Sequence, residues 1–312
     1  MNKICMDLIK YNNISNPYTR IFNHKINPHK YECPPEVTDC MYGLKHGVHY
    51  SSNIVGVDIN LFFYTHTPDE CIDRFHIVMT VLRYMMQFVP PRDVRVDFAF
   101  TNIKKQLPKR GLIGPSALNT GYTDGKHIVV YREEEWLKVF IHECMHYFMF
   151  DGELRDKPMI LYHLFPIHKH VDVNESYCEI WARILNCCVV SVMNDISITK
   201  LLERERMFSV QQMVKVLHYM KLTYTDLFDE NTKYEENTNA FAYLVITAIL
   251  IQDPNKFVEW CKTNNTSMLR IDNAAKYVKL IKEQYRLPAF LRLTMRTNSA
   301  LTTKMTINNI YL

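Results

Sequence analysis

The residues best suited to chemistry lie in the stretch IHECMHYF, Ile141 to Phe148. If the stretch is helical, His142 and His146 stand one turn apart on one face, where two imidazoles reach a single ion. Glu143 then projects about 100° further round the helix, where a carboxylate takes a proton from water held by a metal instead of ligating the metal itself. This is the HExxH arrangement. Its neighbours Val139, Phe140, Ile141, Cys144, Met145, Tyr147 and Phe148 are all uncharged. That suits a helix buried around a recessed metal, because an amphipathic surface helix would carry Lys or Glu at some of those positions.

A catalytic zinc takes three protein ligands and leaves its fourth position to water. Downstream, NESYCEIW offers Asn174 and Glu175, with Glu179 one helical turn later. The loop histidines His163, His168 and His170 are an alternative source of the third ligand, although a polar loop rich in histidine is the simpler reading. Cys33, in YECPPEV, is a remote candidate for an inhibitory thiolate on the metal. Cys144 and Cys178 read as small buried fillers.

On these residues the sequence resembles the gluzincins, the thermolysin-like zinc peptidases in which HExxH is followed on a second helix by NExxxD or a variant of it. Glu179 stands here in place of the final Asp. Position 152, where the metzincin pattern would place a third histidine, is Gly152, and the GxMEN signature of aminopeptidases is absent. The likeness covers about residues 55 to 195. It implies zinc held by His142, His146 and Glu175, with Glu179 orienting a ligand histidine through its other ring nitrogen. It also implies hydrolysis of a peptide or protein substrate. Zinc polarises the carbonyl and lowers the pKa of its water from 15.7 toward ~7, and Glu143 takes the proton and passes it to the leaving amine. A Tyr or His from the C-terminal part would stabilise the oxyanion. The candidates are His218, Tyr219, Tyr234 and Tyr243, with Tyr243 favoured because TNAFAYLV is small and apolar enough to pack near the site. An edge strand ahead of the active-site helix would hold an extended substrate by strand addition, which places Asn119, Thr120, Gly121 and Tyr122 along the cleft. A reading of another class keeps the zincin fold as a structural or scaffolding component, for instance of a virus particle, with the metal retained for stability or the activity lost.

The elements that must position these residues are read from periodicity and punctuation. VGVDINLFFYTH is a strand, Glu70 to Val89 a helix closed by Pro90 and Pro91, and Val94 to Thr101 a second strand. Strands at about 117–123 and 127–132 are joined by the turn signal Asp124-Gly125. The active-site helix is expected from near Glu133, whose run of glutamates suits the helix dipole, to about Phe150, with Asp151-Gly152 as its stop. A second long helix starts near Val173, further helices fall at about 208–221, 236–252, 254–263 and 271–285, and the tail from Leu291 reads as extended. The expected fold is α+β and zincin-like, with a small mixed sheet, an active-site helix and a glutamate helix. Residues 1–52 form an irregular extension, 53–152 the sheet subdomain with the HExxH helix, and 153–312 a mainly helical C-terminal subdomain.

Composition narrows the setting. With 312 residues, 47% of them apolar and 12% aromatic, the chain can bury a sizeable core. A net charge of +4 implies no strong polyanion partner, and Lys104, Lys105, Lys109 and Arg110 read as solvated surface, so no nucleic acid is expected. Nine scattered cysteines, two of them adjacent at Cys187 and Cys188, point to a reducing compartment. No signal-peptide core opens the chain, and the longest apolar run, Ala240 to Ile251, is too short to span a bilayer. A cytoplasmic location without membrane contact follows as the expectation. The abundance of Asn, Ile, Lys and Tyr suits an A+T-rich genome such as that of a large DNA virus, with a virion as a further setting. Oligomeric state is left open.

Overall fold

In the computed structural model, which describes residues 1–157, 159–167, 170–295 and 302–310, six strands form one sheet. They are β1 Tyr18–Phe22, β2 His46–Ile54, β3 Val57–Thr65, β4 Val94–Ala99, β5 Gly121–Thr123 and β6 Ile128–Val130, in the order β1-β2-β3-β4-β6-β5. Neighbours among β1, β2 and β3 are antiparallel, β3, β4 and β6 run parallel, and β5 returns antiparallel to β6 at the edge. The helices are α1 Asn2–Asn12, α2 Pro35–Met41, α3 Cys71–Met86, a short α4 Pro115–Leu118, α5 Trp136–Tyr147, α6 Val173–Asn194 and α7 Ile198–Tyr219. A π-helix, Phe241–Ile246, runs into α8 Thr247–Leu250, followed by α9 Pro254–Asn264, α10 Ala274–Lys282 and α11 Pro288–Thr294. The protein is therefore α+β, with a mixed sheet. Among the described residues no helix is long and apolar enough to cross a membrane.

The period-2 alternation of the strands divides the sheet between two cores. Leu61, Phe63, Val96, Phe98, Ile128 and Val130 face the large core shared with α3, α5 and α6, while Phe62, Tyr64, Ala99, Val129 and Tyr131 face a smaller one. Val37 and Met41 of α2 cover that second face. The first 52 residues are thus no irregular extension. Ile4 and Leu8 put α1 into the main core, β1 and β2 belong to the sheet, and α2 caps its far side. The expected boundary at 52 falls inside β2, two residues short of the β2–β3 hairpin turn. There Val55 and Gly56 both have positive φ, 52° and 84°, as a two-residue turn matched to strand twist requires.

Several other expectations shift. The segment 115–118 is helical, and only 121–123 of the expected 117–123 strand pairs in the sheet. The Asp124-Gly125 turn is present, with the Asp124 carboxylate accepting the backbone N–H groups of Lys126 at 2.8 Å and His127 at 2.9 Å. Helix α7 begins at Ile198, ten residues before the expected start near 208. Pro288 at a first-turn position opens α11, so residues 291–294 of the tail expected to be extended are helical, and the later residues 302–310 run without helix or strand apart from one bridge between Thr302 and Gln106. The expected tail also includes 296–301 and 311–312, which lie outside the described residues.

The glutamate run before α5 has tertiary partners. The helix starts at Trp136, and Glu135 is its N-cap in the left-handed region, φ 61°. Arg74 donates to Glu133 at 2.6 Å, and Glu134 accepts the backbone N–H of Lys105 at 2.7 Å. Lys105 itself, expected at the solvated surface, is fully buried in an ion pair with the fully buried Glu135. A buried cation is tolerated only when a counter-charge faces it, and Glu135 supplies one.

Glu135 also accepts the backbone N–H groups of Met305 and Thr306, both at 2.5 Å. Glu205 of α7 accepts the Thr306 hydroxyl at 2.7 Å, the Ile307 N–H at 3.3 Å and the Asn308 amide at 3.0 Å through one oxygen. Residues 302–310 are thereby held beneath the N-terminus of α5. The other Glu205 oxygen has no hydrogen-bond partner among the described residues. Burial pushes this carboxyl up from its ordinary 4.5 to about 7, against the opposing pull of Arg183 and the Thr306 hydroxyl. Between these values the folded chain holds a proton that the unfolded chain has released, so stability falls as pH rises from about 4.5 to 7. The loss is on the order of 3 kcal/mol. Glu205→Gln, which keeps a carbonyl acceptor, should be more stable than wild type at pH 8 and remove that slope in urea titrations. An unchanged slope would show that Glu205 is ionised in the fold.

Candidate metal centre and cleft

Helices α5 and α6 pack side by side in the main core, and their facing sides bring the chemistry together. His142 Nε2 and His146 Nε2 are 3.1 Å apart, and Glu175 Oε2 lies 3.1 Å from the first and 3.2 Å from the second. A tetrahedral ion with bonds of 2.0–2.1 Å requires ligand atoms separated by about 3.3 Å. The triangle fits zinc in spacing, in its two imidazoles and one carboxylate, and in burial.

Each histidine is fixed through its second nitrogen. His142 Nδ1 lies 3.1 Å from Glu179 Oε2, one turn beyond Glu175 on α6. His146 Nδ1 lies 2.8 Å from Asp151 Oδ2. Asp151 was expected only as part of a helix stop, yet it is a fully buried carboxylate with its own supports. Arg155 donates to both its oxygens at 3.0 Å, and the Asn174 amide donates to Oδ2 at 3.1 Å. The asparagine of the Asn-Glu pair on α6 therefore acts on the carboxylate that orients His146, just beyond the end of α5. Burial alone would lower both imidazole pKa values, but Glu175 and Glu179 raise that of His142, and Cys178, Glu175 and Asp151 raise that of His146 well above its ordinary range. Glu175, despite a burial that opposes it, is held well below the usual carboxylate range by His146 and His142. The surroundings are built to hold positive charge at the triangle.

Glu143 is not part of this triangle. It is 7% exposed and lines the cleft, with no hydrogen bond to its carboxylate among the described residues. Burial raises its pKa, and His142 and His146 oppose that rise. Glu179, by contrast, is wholly engaged. Lys138 Nζ donates to its two oxygens at 3.2 and 3.0 Å, and Arg183 Nε donates to Oε1 at 2.8 Å. These two cations outweigh burial and keep its carboxyl below the usual range.

Tyr243 reaches the site on the π-helix. Glu236 accepts the N–H of Phe241 at 3.1 Å and that of Ala240, and Thr247 donates to the Ala242 carbonyl at 3.0 Å, so the widened turn has its backbone groups met by side chains. Arg183 Nη2 donates to the Tyr243 carbonyl at 2.9 Å. The Tyr243 ring stands edge-on to His142 at 5.7 Å. Burial, with Glu175 and Glu143 nearby, raises the phenol's pKa well above its ordinary value, so it remains a donor. Of the other oxyanion candidates, Tyr219 donates to the Gly111 carbonyl at 2.8 Å and Tyr234 is buried beside Glu236. Neither these nor His218 lines the cleft.

The cleft, about 670 Å³, runs between β5 and the metal triangle. Tyr131 N donates to Thr120 O at 2.9 Å, and Tyr122 pairs with Val129, so these residues turn their backbone groups to β6. By alternation, Gly121 and Thr123 turn theirs outward along the cleft. Of the four expected substrate contacts, Gly121 thus presents a free edge. Asn119 lines the cleft and accepts from Thr238 at 3.2 Å, Thr120 is buried, and the Tyr122 hydroxyl turns to the far face to accept the Glu32 N–H at 3.1 Å. Gly121 lies so close to α5 that a Cβ there would sit 2.6 Å from Val129 O and 2.8 Å from Val139 Cγ1.

The alternative ligands stay apart. His170 is exposed and bonds Asp172 at 2.6 Å, His163 is exposed, and His168 lies outside the described residues. Cys33 packs in the small core on the other face of the sheet, 3.2 Å from the Thr38 hydroxyl. Cys144 and Cys178 are buried, the latter 3.5 Å from His146 Nδ1. No family model, curated protein or solved structure matches the chain.

Asp151→Ala should weaken zinc binding roughly 10- to 100-fold in a chelator competition, as loss of a ligand-orienting carboxylate does elsewhere. Undiminished affinity would mean that His146 needs no such partner.

Proposed function

We propose that the protein is a zinc-dependent peptide hydrolase of the gluzincin kind, with a zincin-like fold. The observation that carries this reading is the division of labour on two helices. His142, His146 and Glu175 converge on one point, while Glu143 is held apart from them and faces the cleft.

His142, His146 and Glu175 would hold the ion, and Glu179 and Asp151 would fix the imidazole tautomers that leave Nε2 as ligand atoms. Zinc, when bound, supplies a Lewis acid that acidifies water and polarises the substrate carbonyl. The outward N–H and C=O groups of Gly121 and Thr123 bind an extended peptide as an added strand. Glu143 takes the proton of the attacking water and delivers it to the leaving nitrogen. The Tyr243 hydroxyl donates to the oxygen on which negative charge develops. The peptide or protein substrate follows from the free strand edge beside the base.

Glu143→Gln should bind zinc as wild type does and cleave peptides roughly 100- to 10,000-fold more slowly, the range for loss of a general base. Metal analysis and a fluorogenic peptide library would check both halves. Glu175→Ala should lose zinc, and full occupancy in that variant would overturn the ligand set. A zinc-loaded wild-type protein that cleaves no library member would favour the scaffold reading.

A further inference from the structure

A side recess of about 20 Å³ opens off the cleft between β5 and α5. Asn119, Gly121, His142, Glu143 and Tyr243 line both spaces, so the recess adjoins the proposed base and the free edge of β5. Its inner wall is Met305, delivered by the segment that Glu135 and Glu205 tie down. The Met305 sulfur lies 3.5 Å from Lys138 Nζ, which in turn bonds Glu179. Thr120 also lines the recess. It is 2% exposed, and its Oγ1 has no hydrogen-bond partner among the described residues.

A space of this size holds about one water molecule, and so one heavy atom such as a methyl carbon or a hydroxyl oxygen. A buried hydroxyl without a partner calls for a polar atom in that space. We propose that this recess receives the side chain of one of the two residues flanking the scissile bond, that Met305 restricts it to Gly, Ala and Ser, and that Thr120 favours Ser. The proposal rests on the hydrolase reading and adds the substrate class. A larger side chain could enter only by displacing Met305, whose backbone N–H is bonded to a buried carboxylate.

The test is cleavage-site mapping by mass spectrometry, with the full-length zinc-loaded protein and an unbiased peptide library. Gly, Ala and Ser should dominate one flanking position, with Val, Leu and larger residues disfavoured there roughly 10- to 200-fold in kcat/KM. Met305→Ala should lower that discrimination at least tenfold, and Thr120→Val should remove the preference for Ser over Ala. Equal acceptance of bulky residues at both flanking positions by wild type would overturn the proposal and leave the hydrolase reading intact. So would an unchanged profile in a folded Met305→Ala protein, and the wild-type map decides the matter if that variant fails to fold. Zinc binding without cleavage of any peptide would remove the hydrolase reading, and the recess assignment with it.

Discussion

The site depends on one buried carboxylate, Glu179, and on the charges that make its burial tolerable. A lone carboxylate at that depth would be strongly penalised. Lys138 and Arg183 compensate it, and its remaining capacity goes to His142. Each cation has a second duty. Lys138 sits on the first turn of α5 and contacts Met305, and Arg183 holds both the Ser209 hydroxyl at 2.5 Å and the carbonyl of Tyr243. Removal of one partner from such a cluster leaves the others as unpaired buried charges, typically at a cost of about 3–5 kcal/mol. The same interaction thus positions a candidate metal ligand, the candidate oxyanion donor and the chain segment beneath α5.

The two histidine partners use different means. Glu179 is supported by cations from within the core, whereas Asp151 is supported at the cleft rim by Arg155 and Asn174. Of the two candidate ligands, His142 is therefore the more deeply anchored and His146 the nearer to solvent, with side-chain exposures of 7% and 11%. An ion entering from the cleft would meet His146 and Glu175 first.

What the sequence made legible was whatever local spacing encodes. His142, Glu143 and His146 share a helix, Asn174 and Glu175 open the next, and Asp124-Gly125 turns the hairpin. Partners supplied by tertiary structure were not legible. Lys105 in a lysine pair looks solvated, and only the approach of Glu135 makes its burial possible. Asp151 beside a glycine looks like a helix stop, since nothing local says that a carboxylate five residues past His146 will fold back onto its ring. Strand β2 does alternate, with Val48, Tyr50, Ser52 and Ile54 buried, but the interleaved His and Ser residues hid that period. The π-helix has no sequence signature of its own, so Tyr243 was chosen for its apolar neighbours rather than for the widened turn that presents it.

The segment that ends beneath α5 bears on how the chain folds. Glu135 is bonded to residues about 170 positions away, and the recess joins Leu118 and Val139 to Met305. Such contacts raise contact order, and closing so long a loop comes late because its entropy must be overcome first. The six-stranded sheet and α3 can associate before this closure, whereas the recess that Met305 lines is complete only after it. Kinetically, the sheet should form before residues 302–310 dock, and the recess that Met305 lines should be the last part of the cleft to take shape.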